Sequence, residues 1–423
     1  MALGHKKAGS GIIKFGTDGW RAKIADGFTF ANLAKVTDAY AVWMKRGKKS
    51  PVIALGFDNR FMSDKYAAFA AERLASYGFT VKFFDKPVHT PMVSWSIVNK
   101  RLDSGIMITS SHNPYDYNGF KIKNKYGAGA TSEQTKEVEK IIEKPEIPAK
   151  GRGIVEKVNY DAEYADAIRG VVDVPLIVKS GMKIVLDVMY GSGAGYFEKI
   201  LAGYKGLRVI HSKRDPLFGG ITPEPIRKNL LGLEEAVRAE KADIGIAIDG
   251  DGDRMALVDE KGNYLPTHKA LVFLLLHHVK NRKARIKFVK TISGTSLLWK
   301  LAKEYGVDME EVPVGFKHIA ERMIKDRGVI GGEESGGVGF GYFVPERDGV
   351  LSNLMVLEFL ASEGKNAGAV IRQLDKKYGP YMYDRVDLRF NEKDRENIVK
   401  SVNGLEKTGL IAGKKIASVS RLD

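Results

Sequence analysis

The chain has 423 residues, 44% of them hydrophobic and 28% charged; at about 150 residues per domain it suits roughly three domains with sizeable cores, and it is neither disordered nor fibrous. Its 67 basic residues exceed the 52 acidic ones by 15, a balance that suits an anionic partner (nucleic acid, membrane surface or phosphorylated metabolite) or simply a Lys-rich solvated surface. The absence of cysteine excludes a disulfide scaffold, thiolate metal sites and thiol catalysis, and is compatible with a reducing cytosol.

Met1 to Gly11 has no apolar core of the kind a secretory signal needs, and Ala2 excludes myristoylation. Val52 to Gly56 reads as a buried strand. Ser63 or Asp64 is expected to cap a helix to about Tyr77, ended by Gly78, and Thr80 to Phe84 returns to strand. Ser104 to Ile108 is a further apolar strand, ending in Thr109-Ser110-Ser111-His112-Asn113-Pro114. Taken alone that run is a polar strand-to-loop turn. Adjacent residues are not expected to form the Ser/His pair of nucleophilic catalysis, and no Gly-x-Ser-x-Gly elbow occurs. Thr131 with Gln134 forms a capping box before a charged helix. Glu143 to Gly153, with Pro145, Pro148 and Gly151, reads as a linker.

Lys183 to Asp187 is the next strand, opening into Tyr190-Gly191-Ser192-Gly193. Apolar strands then flank Asp249 to Arg254. The longest apolar run, Ala270 to Leu276, stops at His277 and His278, far short of the roughly 20 residues of a membrane span. The chain therefore reads as soluble, with a cytoplasmic location and no membrane partner. Arg285 to Lys290 is another strand, opening into Ser293-Gly294-Thr295-Ser296. Strand, Gly/Ser turn and helix thus recur three times, which is expected of three related α/β units with largely parallel sheets. The expected domains are 1–150, 151–262 and 263–378. The tail 379–423 shows strand patterning at Arg385 to Phe390 and then a charged helix, too little for a comfortable domain.

The most informative stretch runs from Asp243 to Asp259. Asp249, Asp251 and Asp253 alternate, so an extended backbone puts them on one face. Gly250 and Gly252 let the chain curl until three carboxylates converge on one cation. Oxygen ligands without His or Cys favour Mg²⁺ or Mn²⁺ over zinc. An EF-hand is excluded, because its sixth loop position requires glycine and here holds Arg254, and the flanks read as strands. A serine ester of phosphate beside such a cluster would make a phosphoryl donor.

Thr109–Pro114 together with Asp249–Arg254 resembles the α-D-phosphohexomutase superfamily, which includes phosphoglucomutase and phosphomannomutase. So do Phe15-Gly-Thr-Asp-Gly-Trp-Arg21, Gly56-Phe-Asp-Asn-Arg60, Val314-Gly-Phe-Lys-His318, Gly332-Glu-Glu-Ser-Gly336 and Asp348-Gly349, in order over residues 12–375. The resemblance implies three mixed α/β/α domains around a central cleft plus a partial fourth. It implies a phosphoserine at Ser111 and one Mg²⁺ held by Asp249, Asp251, Asp253 and a phosphoserine oxygen. Glu333 and Ser335 would hold sugar hydroxyls. Lys317 and His318 would assist in binding the sugar phosphate. Arg21, Arg254, Lys121 and Lys317 would supply positive charge; Gly337 follows Ser-Gly where relatives often have histidine, so Lys121, Lys317 or His318 would stand in as general acid/base, Lys121 in preference. Arg60 is as readily an ordinary ion-pair arginine as an active-site one.

The implied reaction interconverts hexose 1-phosphate and hexose 6-phosphate, with glucose 1,6-bisphosphate as activator and no nucleic-acid partner. Phosphoglucosamine mutase is an alternative. So is a catalytically impaired phosphosugar-binding protein, because relatives grip the non-reacting phosphate with an Arg-x-Ser-Gly-Thr-Glu-Pro-like loop and none occurs between Gly379 and Asp423.

Overall fold

A computed structural model describes residues 13–416 apart from 17, 384–393 and 412. The expected strand at Arg385 to Phe390 and the first residues of the chain lie outside the described residues.

Residues up to Gly379 hold three sheets in one unit. The first has seven strands: β1 (Phe15–Gly16), β2 (Gly19–Lys23), β3 (Val52–Phe57), β4 (Thr80–Phe84), β5 (Ser104–Ile108), β6 (Tyr117–Lys123) and β7 (Ile154–Val158), in the order β1-β2-β6-β5-β3-β4-β7. The second runs β12-β11-β10-β8-β9, from β8 (Ile184–Asp187), β9 (Leu207–Ile210), β10 (Ile244–Ile248), β11 (Met255–Val258) and β12 (Tyr264–Leu265). The third runs β14-β13-β15-β16-β17, from β13 (Lys287–Thr291), β14 (Asp308–Val312), β15 (Val329–Gly332), β16 (Val338–Phe340) and β17 (Val344–Arg347).

The same motif is present in each sheet. A central strand (β3, β8, β13) is flanked by two parallel strands, and an antiparallel strand (β6, β11, β16) lies beside one of these. The three expected units are thus related by topology. β7, past the linker expected near 150, pairs in parallel with β4 and adds the last strand to the first sheet.

β3, β5, β8 and β10 are apolar and buried because both sheet faces are covered there. On one face of the first sheet, Ile53, Leu55, Ile106 and Ile108 pack with Leu33, Tyr40, Tyr66, Leu74 and Val138 from three helices. On the other, Gly56 and Gly105 leave room for Val93 and Ile97 of the Thr90–Asn99 helix. The expected helix after β3 spans Ser63–Ala75, and Ser63 does not cap it. The preceding Met62 is left-handed, at φ 59°, and the Ser63 hydroxyl is taken by Asp58 at 2.7 Å. The capping box at Thr131 and Gln134 forms as expected.

The Gly349–Glu363 helix is buried from Gly349 to Leu360, as befits a helix covered on every side. Its amide Gly349 N donates to Gly252 O at 3.0 Å, and Asn353 Nδ2 donates to Ala247 O at 3.0 Å, so this helix of the third sheet braces the second. Residues from Pro380 form a separate unit, whose described part is a helix, Arg395–Thr408, and a hairpin of β18 (Leu410–Ile411) and β19 (Lys414–Lys415). No helix among the described residues is long and apolar enough to cross a membrane.

Asp348 caps the Gly349–Glu363 helix and accepts the Tyr164 hydroxyl at 2.6 Å. Burial lifts its carboxyl to about 6 from an ordinary 3.8. An acid whose pKa is higher in the folded state stabilises the fold below its unfolded pKa, and that contribution disappears as pH rises through the folded one. Relative to Asp348→Asn, which keeps a capping side chain, wild-type unfolding free energy should fall by about 3 kcal/mol between about pH 3 and pH 7. Urea titrations across that range check the slope.

Candidate active site

In all three sheets the loop between the third parallel strand and its antiparallel neighbour carries one of the sequence motifs. The β5–β6 loop carries Ser111, the β10–β11 loop carries the three aspartates, and the β15–β16 loop carries Glu333 and Ser335. Backbone bonds tie the acidic loop to the first sheet's Thr90–Asn99 helix and to the Glu333 loop. Thr90 N donates to Asp251 O at 2.8 Å, Met255 N donates to Gly336 O at 2.9 Å, and Arg254 pairs with Gly337 in an isolated bridge.

Ser111 Oγ donates to Asp249 Oδ2 at 3.2 Å, and both residues are buried. Gly250 permits this approach: a Cβ there would stand 3.0 Å from Ser111 O. Ser110, its neighbour, has a buried hydroxyl with no protein partner. Ser111 sits at φ 53°, a strained value for serine. His112 Nδ1 lies 3.3 Å from Ser111 Oγ, so the sequence neighbours touch. Burial, reinforced by Arg254 and Arg21, holds the His112 imidazole neutral, far below its ordinary pKa.

Asp249, Asp251 and Asp253 are fully buried, and one carboxylate oxygen from each lies within 4.8 Å of the others. Protein donors hold one oxygen of Asp251, one of Asp253 and both of Asp249, whose Oδ2 takes the Ser111 hydroxyl. Asp249 Oδ1 accepts the amides of Asp253 (2.9 Å) and Arg254 (3.1 Å). Asp251 Oδ2 accepts from Thr90 Oγ1 (2.6 Å) and Lys121 Nζ (2.8 Å). Asp253 Oδ2 meets Arg347 Nη2 at 2.8 Å and Lys121 Nζ at 3.3 Å. The remaining oxygens, Asp251 Oδ1 and Asp253 Oδ1, are buried and have no partner. Burial and the two neighbouring carboxylates push Asp249 well above the usual carboxylate range. Buried oxygens left unmade are costly, and these two, with a third oxygen from Asp249 close by, fit a hard divalent cation. The residues present therefore suit Mg²⁺.

Residues 13–148, 162–262 and 267–378 match, respectively, the models of α/β/α domains I, II and III of phosphoglucomutase/phosphomannomutase. A phosphoglucomutase/phosphomannomutase of Thermococcus kodakarensis is 32% identical over 403 residues, covering 93% of this chain and 86% of its own. A phosphoglucosamine mutase of Caldicellulosiruptor bescii is 30% identical over 365 residues, covering 83% and 79%. A crystal structure from Thermus thermophilus, provisionally described as a phosphomannomutase, aligns with a TM-score of 0.83 at 34% identity, covering 90% of this chain and 88% of that one. The chain belongs to the phosphoglucomutase/phosphomannomutase family. It is thus a phosphohexomutase, an intramolecular phosphotransferase of the α-D-phosphohexomutase superfamily.

Beside the carboxylates this phosphohexomutase has a cavity of about 210 Å³, walled by Asp18, Arg254, Lys317, Glu333, Ser335 and Arg347 among others. Burial raises the Glu333 carboxyl, and its Oε1 accepts Gly315 N at 3.1 Å. Lys317 reaches across to Ser132 Oγ at 2.7 Å. Arg21 Nη1 donates to Asn113 Oδ1 at 3.1 Å, next to the serine. His318 stands apart, half-buried and outside the cavity wall.

Lys121, expected as general acid/base, is placed differently. Its ammonium is surrounded by Asp18 (2.8 Å), Asp251 (2.8 Å) and Asp253 (3.3 Å). Burial alone would lower its pKa, but these three carboxylates outweigh that and hold the charge firmly in place. Three acceptors match the three N–H bonds of an ammonium.

Asp18, Thr90 and Arg347 were not singled out by the sequence. Asp18 lay inside a quoted motif and Arg347 beside one, whereas nothing marked Thr90. Arg60 resolves as structural. It is fully buried, ion-paired to Asp58, and donates to the carbonyls of Ser111 (2.5 Å), Asn113 (2.7 Å), Pro114 (2.7 Å) and Tyr117 (3.0 Å). One guanidinium thus staples the whole serine loop. A lysine has no planar fork to do so. Arg60→Lys should cost about 3 kcal/mol of stability and loosen residues 111–117; urea unfolding and amide hydrogen exchange measure both effects.

Proposed function

We propose that this phosphohexomutase interconverts hexose 1-phosphate and hexose 6-phosphate, with glucose or mannose as the sugar, using Ser111 as phosphoryl carrier. The observation that carries this reading is the 3.2 Å approach of Ser111 Oγ to Asp249 across two separate sheets. The Thermococcus relative's name supports the sugar class. A phosphohexosamine is the second reading, favoured by the Caldicellulosiruptor relative.

Phosphoserine 111 transfers its phosphoryl group to the free hydroxyl of the hexose monophosphate. The Ser111 O–P bond breaks, a bond from sugar oxygen to phosphorus forms, and the proton lost by the sugar hydroxyl is balanced by the one the freed Ser111 oxygen takes up. The product is a bisphosphorylated sugar. Its other phosphate returns to Ser111 by the reverse chemistry, leaving the isomeric monophosphate. Asp249, Asp251 and Asp253 would hold Mg²⁺, which when bound neutralises charge on the transferring group. Three carboxylates and a phosphate near −2 exceed a divalent ion by about three charges. Arg21, Arg254, Lys121 and Arg347 supply the balance from the protein. His112, kept neutral against the serine, can accept a hydrogen bond without adding a charge. Glu333 and Ser335 offer acceptors and a donor for sugar hydroxyls at the far wall, with Lys317 beside them.

Ser111→Ala should abolish turnover of glucose 1-phosphate in the presence of a trace of glucose 1,6-bisphosphate, with the melting temperature preserved. Intact-mass spectrometry should find one phosphate on the wild type and none on the variant; unchanged activity would refute the assignment. Chelation with EDTA should remove activity and Mg²⁺ should restore it. A panel of glucose, mannose and glucosamine 6-phosphates, compared by kcat/KM, decides the sugar. Binding of all three without turnover would favour an impaired phosphosugar-binding protein.

A further inference from the structure

Asp18 lies in the turn between β1 and β2 and belongs to none of the three motif loops. Its Oδ2 receives Lys121 Nζ at 2.8 Å and Arg347 Nη2 at 2.7 Å. The same two cations meet again on Asp253 Oδ2, at 3.3 and 2.8 Å. Asp18, Lys121, Asp253 and Arg347 thus close a ring of alternating charge, with two carboxylate oxygens each bridging both cations. The ring joins all three sheets: Asp18 and Lys121 come from the first, Asp253 from the second and Arg347 from the end of β17 in the third. Gly19 makes the juxtaposition possible. It sits at φ 111°, and a Cβ there would stand 2.8 Å from Phe120 O and 3.0 Å from the Lys121 side chain.

The ring has a consequence for the cation-binding oxygens. Asp251 Oδ1 and Asp253 Oδ1 are free although two cationic side chains stand beside them. Those side chains are shared between Asp18 Oδ2 and the other oxygens of the pair, Asp251 Oδ2 and Asp253 Oδ2. We infer that Asp18 is a positioning residue, which holds Lys121 and Arg347 away from Asp251 Oδ1 and Asp253 Oδ1 and so keeps these oxygens open for the divalent ion. Without its charge, the released ammonium and guanidinium would turn to those oxygens and compete with the metal. The inference rests on the metal-site reading above and goes beyond it by naming a residue that touches no metal.

The test measures Mn²⁺ binding to the full chain by electron paramagnetic resonance, independent of catalysis. Asp18→Asn should weaken Mn²⁺ binding about tenfold, measured well below the variant's own melting temperature so that only folded protein is compared. Asp18→Glu, which retains the charge, should stay within about threefold of wild type. Removing one competitor in Asp18→Asn/Arg347→Met should recover part of the affinity lost in Asp18→Asn alone. A residue that only braced the fold would make the double variant weaker still. Wild-type affinity in Asp18→Asn, or additive losses in the double variant, would overturn the inference and leave the metal site standing. Should Asp249→Asn bind Mn²⁺ as well as wild type, the metal-site reading fails, and the role of Asp18 with it.

Discussion

Three carboxylates brought together in a buried space repel one another, and like charges in a low-dielectric interior cannot all stay ionised unassisted. That repulsion is the constraint around which the centre of this molecule is built. Asp249 shows the unrelieved case, with its carboxyl driven up by burial and by its two neighbours. Asp251 shows the relieved one: burial would raise it too, but Lys121 and the Thr90 hydroxyl hold it below its ordinary value. The cations that provide this relief come from other sheets. The electrostatics of the acidic loop therefore require the three sheets to sit where they do.

The repeated topology explains how so many groups reach one point. Each sheet ends its parallel portion with a loop that turns back into an antiparallel strand, and each such loop carries one part of the site. Ligands of open α/β sheets bind beyond the carboxyl ends of parallel strands. Here three such ends share one cleft, so the serine, the acidic cluster and the Glu333 loop arrive from equivalent positions in related units. The Gly349–Glu363 helix, buried from Gly349 to Leu360, gives the second and third sheets a common core. The Arg60 staple gives the serine loop a fixed path despite the strained φ of Ser111.

Substitution at the site should therefore act through neighbours as well as directly. The Asp18–Lys121–Asp253–Arg347 ring is one electrostatic object, and its members are not independent. The Ser111–His112 contact is of the same kind, because the backbone bend that exposes the serine hydroxyl to Asp249 also folds the next side chain back onto it.

Much was legible in the residues. The apolar runs located β3, β4, β5, β8, β10, β11 and β13 within a few residues, whereas mixed strands such as Gly19–Lys23, Tyr117–Lys123 and Asp308–Val312 carried no such signal. The alternation of Asp249, Asp251 and Asp253 pointed to a carboxylate cluster that could hold a cation, and a turn closed by Gly252 N on Asp249 O, rather than an extended backbone, brings the three together. The cap of the helix after β3 differs from the sequence expectation, since Ser63 gives its hydroxyl to Asp58, a partner outside the helix. Tertiary structure alone decided that Lys121 is enclosed by carboxylates, that Arg60 is a staple, and that Asp18, Thr90 and Arg347 belong to the centre. Those assignments depend on which charges meet across separate sheets. Local sequence fixes a residue's secondary structure and the face it presents, whereas its pairing partner is set by how sheets pack over separations of up to about 330 residues, as between Asp18 and Arg347.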